Sequence, residues 1–329
     1  MSIESTPTFP TETPAKSVSD PIVSVKGLSK NYGETHAVRD LSFQVMPGEI
    51  FGFIGPNGAG KTTTLRILAT LLEPTEGSLL VDGRCVENDA DVVRRLIGYM
   101  PDHFGVYEGN TVEEYLDFFA AAYGLAKRER AATINDVMVL TDLFALKDRM
   151  VESLSKGMRQ RLCLAKTLVH DPKVLLLDEP ASALDPRARI EFRALLKELR
   201  NMGKTIIISS HILTELSDIC DSIAIIEQGK VVDTGDISDL HARSQGLDRV
   251  RIELMEPSPE AEAALREHPN VVSLSVVEKE LLFEYSGSPR EFYTVVKALT
   301  DRSVAFLSVE YNPKNLENLF LELTKGDVQ

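Results

Sequence analysis

Apolar residues along this chain follow two rhythms. Short continuous runs occur at Glu49-Ile-Phe-Gly-Phe-Ile54, Val174-Leu-Leu-Leu177 and Thr205–Ser209. Such runs suit strands of a parallel sheet, which are buried on both faces. Longer amphipathic runs lie between them, with helical spacing. Thr63–Leu72 predicts a helix. Thr111-Val-Glu-Glu114 has the form of a capping box and opens a second, which runs to Tyr123 and stops at Gly124. Asp185-Pro186 pairs an N-cap residue with proline at the first helical position. The helix it opens carries Ile190, Phe192, Leu195, Leu196 and Leu199 and ends near Gly203.

Hairpin signals frame these elements. Strand-like runs at Ile22–Val25 and Leu41–Val45 come first. A turn at Pro74–Gly77 follows, then Ser78–Val81, Asp82-Gly83 and Arg84–Val86 as a hairpin. Ser222–Glu227, Gln228-Gly229 and Lys230–Asp233 predict another. Residues 104–150 read as helical. Composition shifts at Ser244–Asp248, and a different pattern begins: strand Val250–Leu254, helix Glu260–Glu267, strands Val271–Val277 and Leu281–Tyr285, helix Arg290–Leu299, strand Val304–Tyr311 and helix Leu316–Lys325. That order resembles a split β-α-β-β-α-β unit with one added helix. Residues 1–20 are rich in Ser, Thr and Pro and predict a disordered tail.

The chemistry enters at the first buried run. Gly55-Pro56-Asn57-Gly58-Ala59-Gly60-Lys61-Thr62 fits G-x-x-x-x-G-K-[ST] and lies between a predicted strand and a predicted helix. Its glycines let backbone N–H groups approach an anion, and the helix start that follows, through Thr63, adds further donors. Lys61 is placed to reach the β- and γ-phosphates of a nucleotide, and the Thr62 hydroxyl to bind Mg²⁺. About 115 residues later the Val174–Leu177 run ends in Asp178-Glu179-Pro180. Carboxylates at the C-terminal edge of a parallel sheet sit where ligands bind. Asp178 is expected to hold Mg²⁺ through water and Glu179 to polarise the attacking water.

The remaining motifs resemble those of ABC-type ATPases. Leu154-Ser155-Lys156-Gly157-Met158-Arg159-Gln160-Arg161 is similar to that family's signature, Ala183-Leu184-Asp185 to its D-loop, and His211 to its switch histidine. Tyr32 matches the aromatic that stacks on adenine. Gly98-Tyr99-Met100-Pro101 looks like the approach to the Q-loop. The resemblance spans about residues 22–240 and implies the following. The fold is α/β, a P-loop ATPase core at 21–243 with a helical subdomain at about 104–160, followed by a small α+β domain at 249–329, ferredoxin-like in element order. The cofactors are ATP and Mg²⁺. The chain pairs head to tail in an ATP sandwich, with a second copy or with another ATPase subunit, so that Leu154, Ser155, Lys156, Gly157 and Met158 of one subunit cap the ATP held by the other. Its partner is a separate membrane permease, docked near Phe104–Glu108 and the Phe118/Phe119 region, and export is the expected direction. The clustering of Phe118, Phe119 and Tyr123 also fits plain helix packing. Two positions depart from the family pattern. Asp102 stands where a glutamine follows the Q-loop proline, which places a carboxylate toward Mg²⁺. Lys156 and Met158 replace glycine and glutamine in the signature.

Composition narrows the alternatives. Of 329 residues, 43% are hydrophobic, enough for one large and one smaller unit. The formal charge of −14 disfavours nonspecific nucleic-acid binding. No apolar stretch reaches the roughly 18 residues of a membrane span. With no N-terminal leader either, the expected place is the cytoplasm, peripheral on the inner face of the membrane. Cys85, Cys163 and Cys220 lack metal spacing and are expected to be buried free thiols. A non-transport ABC ATPase acting on ribosomes is the rival reading; that class carries two ATP domains and a basic linker. A chromosome or repair ATPase would need a long heptad insert, and a nonhydrolysing sensor would not need Glu179.

Overall fold

The computed structural model describes residues 20–103, 105, 109–182, 184–237, 239 and 247–312. The chain opens with β1 (Val23–Tyr32) and β2 (Thr35–Val45), a longer hairpin than its apolar residues suggest. The excess arises because the polar half of each strand pairs without being buried, so periodicity marks only the inner ends. β3 (Ile50–Ile54) leads into α1 (Lys61–Leu68). β4 (Glu76–Val81) and β5 (Arg84–Cys85) form the expected hairpin, its turn made by Asp82 and Gly83, both at positive φ. α2 (Ala90–Leu96) and β6 (Ile97–Met100) come next.

The helical stretch contains α3 (Val112–Ala122) and α4 (Lys127–Leu140), followed by α5 (Lys156–Leu168). The capping box is present in full: the Thr111 hydroxyl accepts from the Glu114 N–H at 3.2 Å, and Glu114 Oε2 accepts from the Thr111 N–H at 2.8 Å. β7 (Val174–Asp178), α6 (Pro186–Asn201), β8 (Thr205–Ser210), α7 (Leu213–Ser217), β9 (Ser222–Glu227) and β10 (Lys230–Asp236) complete the first part. α6 buries Phe192, Leu196 and Leu199 but leaves Ile190 61% exposed, against expectation. Ile190 lies off the stripe those three form, so helical phase puts it outside the core.

Two sheets organise this part. One is antiparallel, in the order β2-β1-β4-β5; the other runs β10-β9-β3-β8-β7-β6 and is parallel except for its β9–β10 pair. Successive residues of the inner strands feed different cores. Leu175 and Leu177 pack with the helical residues Tyr115, Leu116, Leu162 and Leu164, while Val174 and Leu176 pack with β1, β2 and α1. Phe43, Phe51 and Phe53 lock the second core with ring centroids 4.8–5.4 Å apart. Cys163 and Cys220 are buried free thiols, but Cys85 is only half-buried, because its strand lies at a sheet edge.

β11 (Asp248–Leu254), α8 (Pro259–Glu267), β12 (Val271–Val277), β13 (Glu280–Tyr285), α9 (Tyr293–Thr300) and β14 (Phe306–Asn312) follow. Their sheet has the order β12-β13-β11-β14 with all neighbours antiparallel. Val250, Ile252, Leu281, Phe283, Leu265 and Leu299 close a core of their own. Residues 1–19, Phe104, Val106–Glu108, Ala183 and the expected helix Leu316–Lys325 lie outside the described residues.

Candidate functional site

The site forms where β3, β7 and β8 end. β8 lies between the other two, in register with Ile54 beside Ser210 and Asp178 beside Ser209. Three loops therefore leave the sheet side by side: Gly55–Gly60 from β3, Glu179-Pro180 from β7 and His211 from β8.

The phosphate loop is shaped by backbone crowding. A Cβ on Gly55 would sit 2.1 Å from the Ile226 carbonyl oxygen, so only glycine fits. Gly60 caps α1 at φ 101°, a left-handed conformation, with Ala37 O 2.6 Å from where its Cβ would lie. Lys61 then starts the helix, 5% exposed. Its Nζ donates to Gly55 O at 2.7 Å and to Pro56 O at 3.2 Å, and lies 3.3 Å from Glu179 Oε1. Burial lowers the Lys61 pKa, opposed by the nearby Glu179, Asp178 and Asp102 carboxylates.

Asp178 is held from two sides. The Thr62 hydroxyl donates to its Oδ1 at 3.1 Å and the Ser209 hydroxyl at 2.7 Å. Its other oxygen, Oδ2, is buried without a hydrogen-bond partner among the described residues. Burial raises the Asp178 pKa; the Ser209 and Thr62 hydroxyls counter it. A buried carboxylate oxygen beside a threonine hydroxyl is a hard-oxygen pair that suits Mg²⁺, which takes one or two protein ligands and completes its shell with phosphate and water. Among the described residues there is no cluster of three or more His, Cys, Asp or Glu that would hold a metal by protein alone.

Glu179 sits in the left-handed region at φ 48°, unusual for a residue with a side chain. Its N–H donates to Ser209 Oγ at 2.9 Å. Its carboxylate is bracketed, Oε1 by Lys61 and Oε2 by His211 Nδ1 at 2.7 Å. Lys61, Thr62, Asp178, Glu179 and His211 thus converge. Ser209 joins them, a residue sequence reasoning passed over as the end of a buried strand. Its signal was a pair of serines closing an otherwise aliphatic run. Gln160, part of the signature stretch but given no role by the sequence, is buried in α5, donates to Pro180 O at 2.6 Å and ties the signature helix to the loop after Glu179.

The signature lies apart from the phosphate loop. Ser155 caps α5, its hydroxyl accepting from the Met158 N–H at 3.3 Å, and Leu154 is buried beneath. Ser155, Lys156, Gly157 and Met158 share a concavity with Leu184, Asp185 and Ala188 that no phosphate-loop residue lines. Asp185 caps α6 through the Ala188 N–H at 2.9 Å. Tyr32, at the end of β1, is 48% exposed with Lys30 Nζ 5.4 Å from its ring centroid. Asp102 follows β6 and pairs with His103 at 2.7 Å while lying close enough to Lys61 and Asp178 to bias both electrostatically.

The ABC transporter family profile matches residues 38–182. The Nod factor export ATP-binding protein I of Paraburkholderia xenovorans (strain LB400) is 36% identical over 303 residues, which cover 92% of this chain and 96% of that protein. This chain belongs to the ABC transporter ATP-binding family. Among solved structures, cbiO1 from Clostridium perfringens, part of the ABC transporter complex cbiONQ, superposes with a TM-score of 0.62 at 30% identity, covering 68% of this chain and 91% of that one. A dimeric bacterial ABC transporter cassette gives 0.60 at 26% identity, covering 65% and 98%. Family membership makes the chain an ATP-binding ATPase of a transport system. The ABC cassette is the mixed α/β P-loop fold described above. No helix among the described residues is long and apolar enough to cross a membrane, and subunits of this family work with membrane subunits.

Proposed function

We propose that the chain powers export through a separate membrane-spanning subunit, and that hydrolysis uses the constellation at the ends of β3, β7 and β8. The carrying observation is the bracketed Glu179 carboxylate next to the half-partnered Asp178. Gly55–Thr63 would wrap the phosphates of ATP, with Tyr32 against the adenine. Thr62 and Asp178 would hold Mg²⁺, with Asp102 as a further carboxylate on that side. A metal held there would supply charge neutralisation for the phosphates. Lys61 stabilises charge on the transferred group, Glu179 orients the water for in-line attack, and His211 holds Glu179 and senses the γ-phosphate.

The separation of the signature from the phosphate loop supports a head-to-tail homodimer. Ser155 and its neighbours make a second anion-binding helix start that one nucleotide in one chain cannot use. The dimeric relative among solved structures fits this reading. Export is favoured by the Nod factor export relative, which spans nearly the whole chain. Membrane association would come through the helical region, where Phe118 is 55% exposed. Residues 21–243 form the ATPase unit and 249–329 an accessory one, supported by the separate core of the latter.

Mixing provides the test. Lys61→Ala and Ser155→Arg homodimers each lack both composite sites, whereas their mixed dimer keeps one. Partial recovery of ATPase activity on mixing is expected. Normal turnover by a Ser155→Arg homodimer would remove the trans role of the signature.

A further inference from the structure

β12 is an edge strand whose sequence, Val271-Val-Ser-Leu-Ser-Val-Val277, reads the same in both directions. An edge strand presents a row of unpaired backbone N–H and C=O groups, and proteins usually guard such edges with charge, proline or brevity. The other edges here are guarded. β14 carries Glu310, paired with Arg251 at 3.6 Å; β10 carries Lys230, Asp233 and Asp236; β2 carries Arg39 and Asp40; β5 has two residues, and β6 is short and largely buried. β12 has no charged residue. It leaves Val272, Val276 and Val277 exposed by 60%, 41% and 52%. A bulge separates Val271 from Ser273, and Ser273–Val277 then stays in unbroken register with β13.

We propose that β12 pairs antiparallel with β12 of a second copy, about a two-fold axis at Leu274. A two-fold interface needs a self-complementary surface, and a palindromic strand is one. Leu274 meets its own counterpart and Ser273 meets Ser275; the bulge at Val272 ends the regular pairing beside Val276 of the second copy, and no charge opposes a charge. That matters in a chain of net charge −14, whose copies repel one another wherever acidic surfaces meet. Pairing joins two sheets into one of eight strands and covers the exposed valines. The contact needs no nucleotide. It would hold two copies together while the ATP sites are open, raising their effective concentration for closure. It adds a second contact to the homodimer proposed in the preceding section and does not depend on the ATP sandwich.

The test uses the full chain without nucleotide. Opposite residues of an antiparallel pair lie about 4.5–5.5 Å apart at Cα, within disulfide reach. In a Cys85→Ser background, Leu274→Cys should oxidise to a crosslinked dimer. Ser275→Cys alone should crosslink far less, yet should crosslink when mixed with Ser273→Cys. Two charge variants at exposed positions check the register without touching the core. Ser273→Lys/Ser275→Lys sets like charges opposite and should weaken association at least tenfold by sedimentation. Ser273→Lys/Ser275→Glu sets opposite charges across the axis and should keep it. A parent chain that stays monomeric without nucleotide, as an edge reserved for a different protein's strand would, overturns the proposal. So does a Ser273→Lys/Ser275→Lys variant that associates like the parent. Loss of the ATP sandwich with the β12 dimer intact would count against the preceding section alone.

Discussion

His211 Nδ1 lies 2.7 Å from Glu179 Oε2, while the other oxygen of that carboxylate faces Lys61 at 3.3 Å. The carboxylate is thereby fixed in orientation from both sides, which is what water positioning requires. His211→Ala frees one side of it. The expected result is a fall in kcat of roughly 10²–10⁴-fold, the usual worth of a positioned acid–base group, with ATP affinity little changed. Glu179→Gln should bind ATP, hydrolyse it at a comparably reduced rate and accumulate as an ATP-bound dimer. Steady-state turnover, nucleotide titration and size-exclusion with ATP measure all three. An unchanged kcat in His211→Ala would remove it from the site.

Ser209 joins two carboxylate residues through one hydroxyl, donating to Asp178 Oδ1 and accepting from the Glu179 N–H. Ser209→Ala strips a bond from a buried carboxylate and leaves a strained backbone N–H unpaired. A loss of about 1–3 kcal/mol in unfolding free energy is expected, together with lower kcat. Urea titration separates the two effects: if stability is unchanged while kcat falls, the role of Ser209 is orientation alone.

Much of the site is readable from sequence because phosphate chemistry constrains consecutive residues. Gly55 and Gly60 announce crowding that only glycine tolerates, and Lys61-Thr62 follows in the same loop. Asp178-Glu179 is readable because a charged pair ends an aliphatic run. Ser209 and Gln160 are less so, since their partners are 30 residues and 20 residues away in sequence and only the pairing of β7 with β8 and the packing of α5 bring them near. In the fold, buried strands and capped helices carry strong signals. The outer halves of β1 and β2 do not, because they pair in the open. α2 escapes notice for the same reason: of its seven residues only Val93 is buried.

His170 links the helical region to the sheet. Its ring stacks on Tyr123 at 3.9 Å, and Nε2 lies 2.8 Å from Ile97 O, which makes Nε2 the protonated nitrogen. Nδ1 is buried without a partner among the described residues. Burial lowers the His170 pKa below its ordinary 6.5. The folded state therefore resists a proton that the unfolded chain accepts. Stability is full above pH 6.5 and declines as pH falls from there toward the lowered folded value. Thermal unfolding across this range should show the decline, and His170→Phe, which keeps a ring against Tyr123, should flatten it. An equal slope in the variant would assign the acid sensitivity to other groups.

Asp102 is where this chain departs from the family's sequence pattern, beside Thr62 and Asp178, the residues proposed to hold Mg²⁺. The carboxylate pairs with His103 at 2.7 Å and is 36% exposed, yet it stands close enough to Lys61 and Asp178 to bias their protonation. Two effects follow from a negative charge there. It attracts Mg²⁺ more strongly than a neutral amide would, and it opposes the γ-phosphate unless the metal lies between them. Asp102→Gln is therefore expected to give a working ATPase that needs more Mg²⁺ for half-maximal rate. Asp102→Ala should need more still, having lost the oxygen altogether. His103→Ala provides the control, since it frees the carboxylate from its present partner and should lower the Mg²⁺ requirement. Titration of Mg²⁺ at fixed ATP orders the four proteins. Superimposable curves would mean that Asp102 serves only its pair with His103 and takes no part in holding the metal.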